Sequence, residues 1–201
     1  DAKQLDLISK AKVLAKSEAQ LNAWNPVDTH ARAARHELEA IADVAQELDL
    51  LVVSDEVYEH YVTGENPHTP IASLPGMWER TITVNSFSKS WNISGWRLGY
   101  AYGPGNLIAK VNAAANVIYV CPATPLQTAL SKVLMADDGY YPRLRETFDG
   151  KRIYTSGILT DLGFKIYDSG SAFYLWARIP EQYNDAIAFN EMLMRDAGVG
   201  M

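Results

Sequence analysis

The sequence predicts a layered α/β fold, in which helices pack against a sheet of short strands. Two observations support this prediction. Glu37–Leu48 repeats apolar residues at helical spacing and leads directly into Leu50–Ser54, a run rich in β-branched residues. Helical and strand-like segments then alternate along the chain, as they do in folds that stack helices on a sheet.

A local sequence pattern predicts each element from Leu50 to Ala136. Leu50–Ser54 opens with four apolar residues in a row, which predicts a parallel strand buried on both faces. The other predicted elements are strands at Thr81–Val84 and Trp96–Tyr102 and helices at Asn106–Val117 and Pro125–Ala136.

The pattern changes after residue 139. Tyr140–Leu162 is predicted to be one long amphipathic helix, and two strand-like runs follow it at Gly163–Tyr167 and Ala172–Ala177. Their aromatic residues are expected to be core, and a last helix is predicted over Asn184–Ala197. We therefore predict a first domain over residues 1–139, a connecting helix over 140–162 and the start of a small domain over 163–201.

Composition narrows the classes of function. The 201-residue chain is 48% hydrophobic and carries a net charge of −6, which argues against nucleic acid as a partner. No apolar run approaches the length of a membrane span, and the first residues lack the pattern of a signal peptide. The single cysteine, Cys121, cannot form an internal disulfide, so we expect a reducing cytoplasm and a small buried side chain. The four histidines lack metal-ligand spacing, and no metal site is predicted.

Lys89 lies in the most informative stretch of the sequence. Ser86 precedes this lysine by three residues, and Arg97 follows it by eight, within Gly95-Trp96-Arg97-Leu98-Gly99-Tyr100. An amine can form a Schiff base with an aldehyde when its surroundings favour its neutral form. A hydroxyl and a guanidinium can bind a phosphate through charge-assisted hydrogen bonds. The alternative is that these are solvated surface charges, which is the ordinary outcome for a lone lysine and arginine in a serine-rich loop.

A second block supports the chemical interpretation. Asp55-Glu56-Val57-Tyr58 comes directly after the Leu50–Ser54 strand. Polar groups at the carboxyl ends of strands face the ligand crevice of an open α/β sheet. The alternative is structural, with Asp55 capping a turn and Tyr58 packed in the core.

Taken together, these blocks resemble those of the fold-type I pyridoxal-phosphate-dependent aminotransferases of class I and II. The resemblance implies a mixed, mostly parallel sheet with one antiparallel strand, and pyridoxal 5′-phosphate as cofactor. It implies that Lys89 is the catalytic residue and forms the Schiff base, that Asp55 pairs with the ring nitrogen, and that Tyr58 meets the ring's phenolic oxygen. The residues that the resemblance assigns to the cofactor are Asn25, Asp55, Tyr58, Ser86, Lys89 and Arg97. The Asn25 segment departs from the family pattern, because Val27-Asp28 stands where the family has Thr-Gly.

The resemblance also implies a function. We expect transfer of an amino group between an amino acid and a 2-oxo acid by a cytoplasmic homodimer, with Tyr119–Pro125 near the neighbouring subunit. Two alternatives remain open: a lyase, cyclase or oxidase that uses the same cofactor, and an aminotransferase-like module that binds the cofactor without turnover. The sequence contains no counterpart of the family's amino-terminal part or of its substrate-carboxylate arginine, so we expect a fragment or truncated form.

Overall fold

The computed structural model describes residues 30–62, 68–135, 139–167 and 171–200. Glu37–Met201 belongs to one compact unit. Helix α1, His30–Glu47, begins seven residues earlier than the apolar spacing predicts and leads to the first strand. Among the described residues, no helix has both the length and the apolar character that a membrane span needs.

Among the described residues, three strands form one sheet: β1, Val52–Asp55; β2, Thr81–Ser86; and β3, Gly99–Tyr102. β2 lies in the middle, paired in parallel with β1 and antiparallel with β3. The mixed α/β fold predicted from the family resemblance is therefore confirmed. β3 is shorter than predicted, because Ser94–Trp96 forms a 3-10 turn and Arg97 has a left-handed backbone with φ of 54°.

The predicted helices and the hairpin are present with small shifts of their ends. The helices after β2 are α2, Phe87–Ser90; α3, Gly105–Ile118; α4, Thr124–Leu134; α5, Tyr140–Asp161; and α6, Ala186–Ala197. Two short strands, β4 (Lys165–Tyr167) and β5 (Trp176–Arg178), pair antiparallel before α6. The division into domains at residues 139 and 162 stays a prediction.

The core of this unit lies on one face of β1. Its members are small and medium apolar side chains of α1 and of the turns that follow β1, namely Ala42, Ala45, Ile71, Leu74 and Met77, with Leu38 and Val52 against them. Burial of this face holds β1 against α1.

The predicted burial of β1 on both faces and the predicted burial of Cys121 are wrong. β1 is not buried on both faces, since Leu51 is 65% exposed and Val53 is 69% exposed. Strand register explains the exposure: Val53 lies beside Ile82 on the face opposite the α1 core, and no described element covers it. Cys121 is likewise exposed, because it lies between α3 and α4 next to Val120, which is itself exposed.

Candidate active site

The carboxyl ends of β1 and β2 place two predicted site residues on one face of the sheet. Asp55 ends β1 and is paired with Val84, and Ser86 lies two residues further along β2, so both side chains point to the same face. Asp55 is exposed, and its Oδ1 accepts a hydrogen bond from the Val57 backbone N–H at 3.2 Å. This contact is the turn cap that the structural alternative predicted, and it uses one of the two carboxylate oxygens.

Ser86 sets the start of the short helix that carries Lys89. Its Oγ accepts a hydrogen bond from the Ser88 backbone N–H at 3.0 Å, as expected of a helix N-cap, and donates to the Leu98 carbonyl at 3.2 Å. The half-buried Lys89 lies in the last turn of this helix. Its carbonyl accepts a hydrogen bond from the buried Tyr61 hydroxyl at 2.6 Å.

An aromatic wall lies beside the Lys89 amine. Nζ is 5.6 Å from the centroid of the Phe173 ring, within the range of a cation–π contact. The same ring packs edge-on against Tyr58 at 5.4 Å and Tyr61 at 5.6 Å. Phe173 therefore contacts both Lys89, on α2, and Tyr58, which follows β1.

Sequence reasoning missed this role of Phe173. The aromatic residues after β4 are predicted to be core, but Phe173 is only half-buried, and it contacts two predicted site residues. Tyr174 and Trp176 are exposed, so the expectation was wrong for both. The local pattern Gly170-Ser171-Ala172-Phe173-Tyr174 marks the segment but does not say what its rings touch.

Tyr58 makes two kinds of contact here. Its hydroxyl donates a hydrogen bond to the Tyr174 hydroxyl at 3.1 Å, and its ring lies edge-on to the Tyr61 ring at 6.1 Å. Burial, the hydrogen bond with Tyr174 and the nearby Asp55 charge raise the pKa of Tyr58 to about 12. The hydroxyl therefore keeps its proton at neutral pH and is available as a donor.

Arg97 is exposed, and its Nη1 donates to the Ser94 carbonyl at 2.9 Å. A left-handed backbone is uncommon for a residue with a side chain, and such strain is concentrated at functional sites. The carbonyl of the next residue, Leu98, accepts hydrogen bonds from Ser86 Oγ and from the Phe87 N–H. The Arg97 loop is thus tied to the start of the helix that bears Lys89.

A hydrogen-bonded cluster at the end of β1 was not predicted. Glu56 is buried, and its carboxylate accepts from Ser54 Oγ at 3.0 Å and lies 2.9 Å from His68 Nε2. Burial acts to raise the pKa of Glu56, but the hydrogen bonds from His68, Ser54 and the Ile71 backbone outweigh it and hold that pKa below its usual value. Ligand atoms of Glu56, Glu59 and His68 lie within 4.8 Å of one another, but the hydrogen bonds of Glu56 account for its position and no metal is assigned.

The predicted donor set fits a phosphorylated aldehyde cofactor in its chemistry. The structure shows an amine beside an aromatic wall, a phenol that keeps its proton, and a carboxylate on the open face of the sheet. Ser86 and Arg97 lie on segments tied together through Leu98. Asn25, the sixth predicted residue, lies outside the described residues.

Comparison with known protein families decides the assignment. The family model described as aminotransferase class I and II matches residues 29–201. The chain belongs to this family. The aspartate aminotransferase of Pyrococcus abyssi is 37% identical over 169 residues, which are 83% of this chain and 43% of that protein. Human kynurenine–oxoglutarate transaminase 3 is 40% identical over 150 residues, which are 70% of this chain and 33% of that protein.

A solved structure confirms the aminotransferase fold. N-succinyldiaminopimelate aminotransferase from Mycobacterium tuberculosis superposes with a TM-score of 0.79 at 38% sequence identity, over 83% of this chain and 44% of that one. The chain thus spans less than half the length of the aminotransferases it matches. Members of the family use pyridoxal 5′-phosphate, the cofactor predicted from the Lys89 motif.

Proposed function

We propose that this chain forms the central and early carboxy-terminal part of an enzyme that binds pyridoxal 5′-phosphate and transfers an amino group between an amino acid and a 2-oxo acid. The observation that carries the proposal is the placement of the Lys89 amine. It lies on the Phe173 ring, which also packs on Tyr58, in a chain whose residues 29–201 match the aminotransferase family. Each predicted residue that the structure describes then has a proposed role that its position supports.

Lys89 is the proposed covalent anchor of the cofactor and the base that moves a proton. Its amine would take the proton from the substrate's α-carbon and would deliver it to the cofactor's aldehyde carbon. The amine is half-buried and lies over the Phe173 ring, which also contacts Tyr58, so the proposed anchor lies beside the proposed donor to the ring oxygen.

Asp55 and Tyr58 would bind two different atoms of the cofactor's ring system, the ring nitrogen and the ring oxygen. The Asp55 carboxylate, on the open face of the sheet, keeps the ring nitrogen protonated, and the Tyr58 hydroxyl donates a hydrogen bond to the ring oxygen. When bound, the cofactor supplies an electron sink for the charge left at the α-carbon. The proton on the ring nitrogen is what makes that sink effective, so Asp55 is proposed to control reactivity more than affinity.

Ser86 and Arg97 are proposed to bind the phosphate, and Asn25 is proposed as a second donor to the ring oxygen. The two residues proposed to bind the phosphate lie close to each other through Leu98: its carbonyl accepts a hydrogen bond from Ser86 Oγ at 3.2 Å, and Arg97 precedes it in the sequence. An Arg guanidinium binds phosphate with fixed geometry, and its exposure here leaves it accessible.

We propose a cytoplasmic homodimer as the working form. An exposed apolar segment at the end of α3 supports the proposal of a partner surface, since Val117, Ile118, Tyr119 and Val120 are all exposed. The substrates are proposed only as an amino acid and a 2-oxo acid, because the matched aminotransferases are named for different amino acids.

Reductive trapping tests the anchor. Borohydride reduction after incubation with pyridoxal 5′-phosphate, followed by peptide mapping, should place the pyridoxyl group on Lys89. Lys151 is a matched control, because its Nζ also lies over an aromatic ring, 4.9 Å from that of Phe148. The label should persist in Lys151→Arg and disappear in Lys89→Arg, whereas a label on Lys151 would refute the assignment.

Hydrogen exchange tests the reaction. The chain covers less than half of its relatives, and positioning of reactants can account for about 7–11 kcal/mol of a barrier, so we expect weak cofactor binding and slow turnover from this chain alone. Deuterium uptake at the α-carbon of an amino acid panel in D₂O should be slow and should depend on Lys89. Exchange with no 2-oxo acid formed would favour the alternative chemistries, and no exchange at all would favour a module without turnover.

A further inference from the structure

We propose that Tyr174 is a positioning residue that orients the Tyr58 hydroxyl toward the cofactor's ring oxygen and strengthens its hydrogen bond. This inference rests on the proposed function. Its basis is the hydrogen bond between the two hydroxyls, 3.1 Å long and joining residues 116 positions apart. The bond connects the segment after β1 with the segment before β5.

The direction of this hydrogen bond has a chemical consequence. A phenol has a single O–H to donate, and here Tyr58 donates it to Tyr174. If Tyr58 is to donate to a cofactor oxygen, Tyr174 must rotate its own O–H and become the donor. The result is a chain of two hydrogen bonds, from Tyr174 to Tyr58 and from Tyr58 to the ring oxygen.

Such a chain makes Tyr58 a better donor than it would be by itself. A hydroxyl that accepts a hydrogen bond is polarised, and the bond that it donates is strengthened by about 10–30%. A stronger bond to the ring oxygen stabilises the negatively charged, deprotonated form of that oxygen. Tyr174 should therefore lower the pH at which the bound cofactor loses its proton.

The surroundings keep the pair in place. The Tyr174 ring lies edge-on to the Tyr58 ring at 5.9 Å, and Phe173 packs on both rings, at 5.4 Å from Tyr58 and 4.8 Å from Tyr174. The charged and titratable groups that act on Tyr58 include Asp55, Tyr61 and Tyr174. The Lys89 amine lies nearby, over the ring of Phe173. Tyr174 is itself exposed, so removal of its hydroxyl should not disturb the core.

The first arm of the test uses the chain without cofactor. Alkaline titration of ¹³Cζ-labelled tyrosine by NMR, with circular dichroism to mark the onset of unfolding, follows each hydroxyl. The signal of Tyr58 should move at lower pH in Tyr174→Phe than in the wild type, because the variant removes a contact that raises the pKa of Tyr58. Tyr154→Phe, which removes an exposed hydroxyl on α5, should leave Tyr58 unchanged. An unchanged Tyr58 titration in Tyr174→Phe would refute the pairing.

The second arm loads the chain with pyridoxal 5′-phosphate and follows the bound cofactor's absorption against pH. Tyr174→Phe should shift the midpoint upward by about 0.1 to 0.7 pH unit, from the polarisation of one charge-assisted hydrogen bond. The shift should vanish when Tyr58→Phe is already present. A cofactor that binds with an unshifted midpoint, or with the same shift in the Tyr58→Phe background, overturns this inference and leaves the proposed function standing. Failure of the chain to take up the cofactor overturns both.

Discussion

Tyr61 offers a test of how the Lys89 segment is held. Its side chain is 2% exposed, its hydroxyl donates to the Lys89 carbonyl at 2.6 Å, and its ring lies edge-on to Phe148 at 5.0 Å and Phe173 at 5.6 Å. The hydroxyl and the ring therefore make separate contributions to stability. Tyr61→Phe removes the first, and Tyr61→Ala removes both.

The two variants should differ several-fold in their effect. In Tyr61→Phe the Lys89 carbonyl keeps the backbone donors of Trp91 and Asn92, so no acceptor is stranded. The loss should be the net value of one hydrogen bond, about 0.5–1.5 kcal/mol. Removing a buried aromatic side chain costs about 3–5 kcal/mol, and Tyr61→Ala should fall in that range because a cavity remains among the neighbouring rings.

Urea unfolding followed by circular dichroism measures both losses. The slope of free energy against urea should stay constant, so that a change of midpoint reports stability alone. Tyr154→Phe, at an exposed site on α5, controls for loss of a hydroxyl and should cost nothing measurable. If Tyr61→Phe costs as much as Tyr61→Ala, or if neither changes the midpoint, the separation into hydroxyl and ring contributions is wrong.

Alkaline pH gives an independent check on the same hydroxyl. Burial and the nearby Tyr140 raise the pKa of Tyr61 from 10.0 to about 12. Because the folded value is the higher one, the stability from this group is complete below about pH 10 and is lost as the pH rises toward about 12. Tyr61→Phe should therefore lose less stability than the wild type over that window.

Three further predictions follow from single positions. Arg97→Gly relieves a left-handed backbone, so the variant should be as stable as the wild type or more stable by about 1 kcal/mol, while its affinity for the cofactor should fall. If Arg97→Gly is less stable in urea than Arg97→Ala, this prediction is wrong. Gly99→Ala should cost about 1–3 kcal/mol in urea, because a Cβ there would lie 2.8 Å from the Asn85 carbonyl, whereas Gly95→Ala meets nothing within 4 Å and should be tolerated. The pKa of Glu56 is lowered, so the stability that its carboxylate provides is present above about pH 4.5 and is lost as the pH falls further. In thermal unfolding measured over a series of acid pH values, Glu56→Gln should lose less stability than the wild type. An equal loss in both proteins would show that Glu56 does not cause it.

Much of the fold was predictable because it depends on local patterns. The α1 spacing and the β-branched run of β1 are each encoded within a dozen residues, and the structure confirms both elements, although α1 begins seven residues earlier than its spacing predicts. Exposure of Val53 was not predictable in this way. An apolar run indicates that a strand can be buried on both faces, but only the pairing register and the available neighbours decide whether it is.

The candidate site divides along the same line. Motif spacing placed Asp55 and Ser86 at strand ends, and the two side chains share a face because β1 and β2 pair in the register that sets Asp55 beside Val84. The contacts of Lys89 and Tyr58 with Phe173, and of Tyr58 with Tyr174, join segments more than 80 residues apart in sequence. No local pattern encodes such contacts, because they depend on how α5 and the hairpin pack beside the turn after β1. The hydrogen bond between Tyr58 and Tyr174 is a contact of this kind, and the proposed effect of Tyr174 on Tyr58 depends on it.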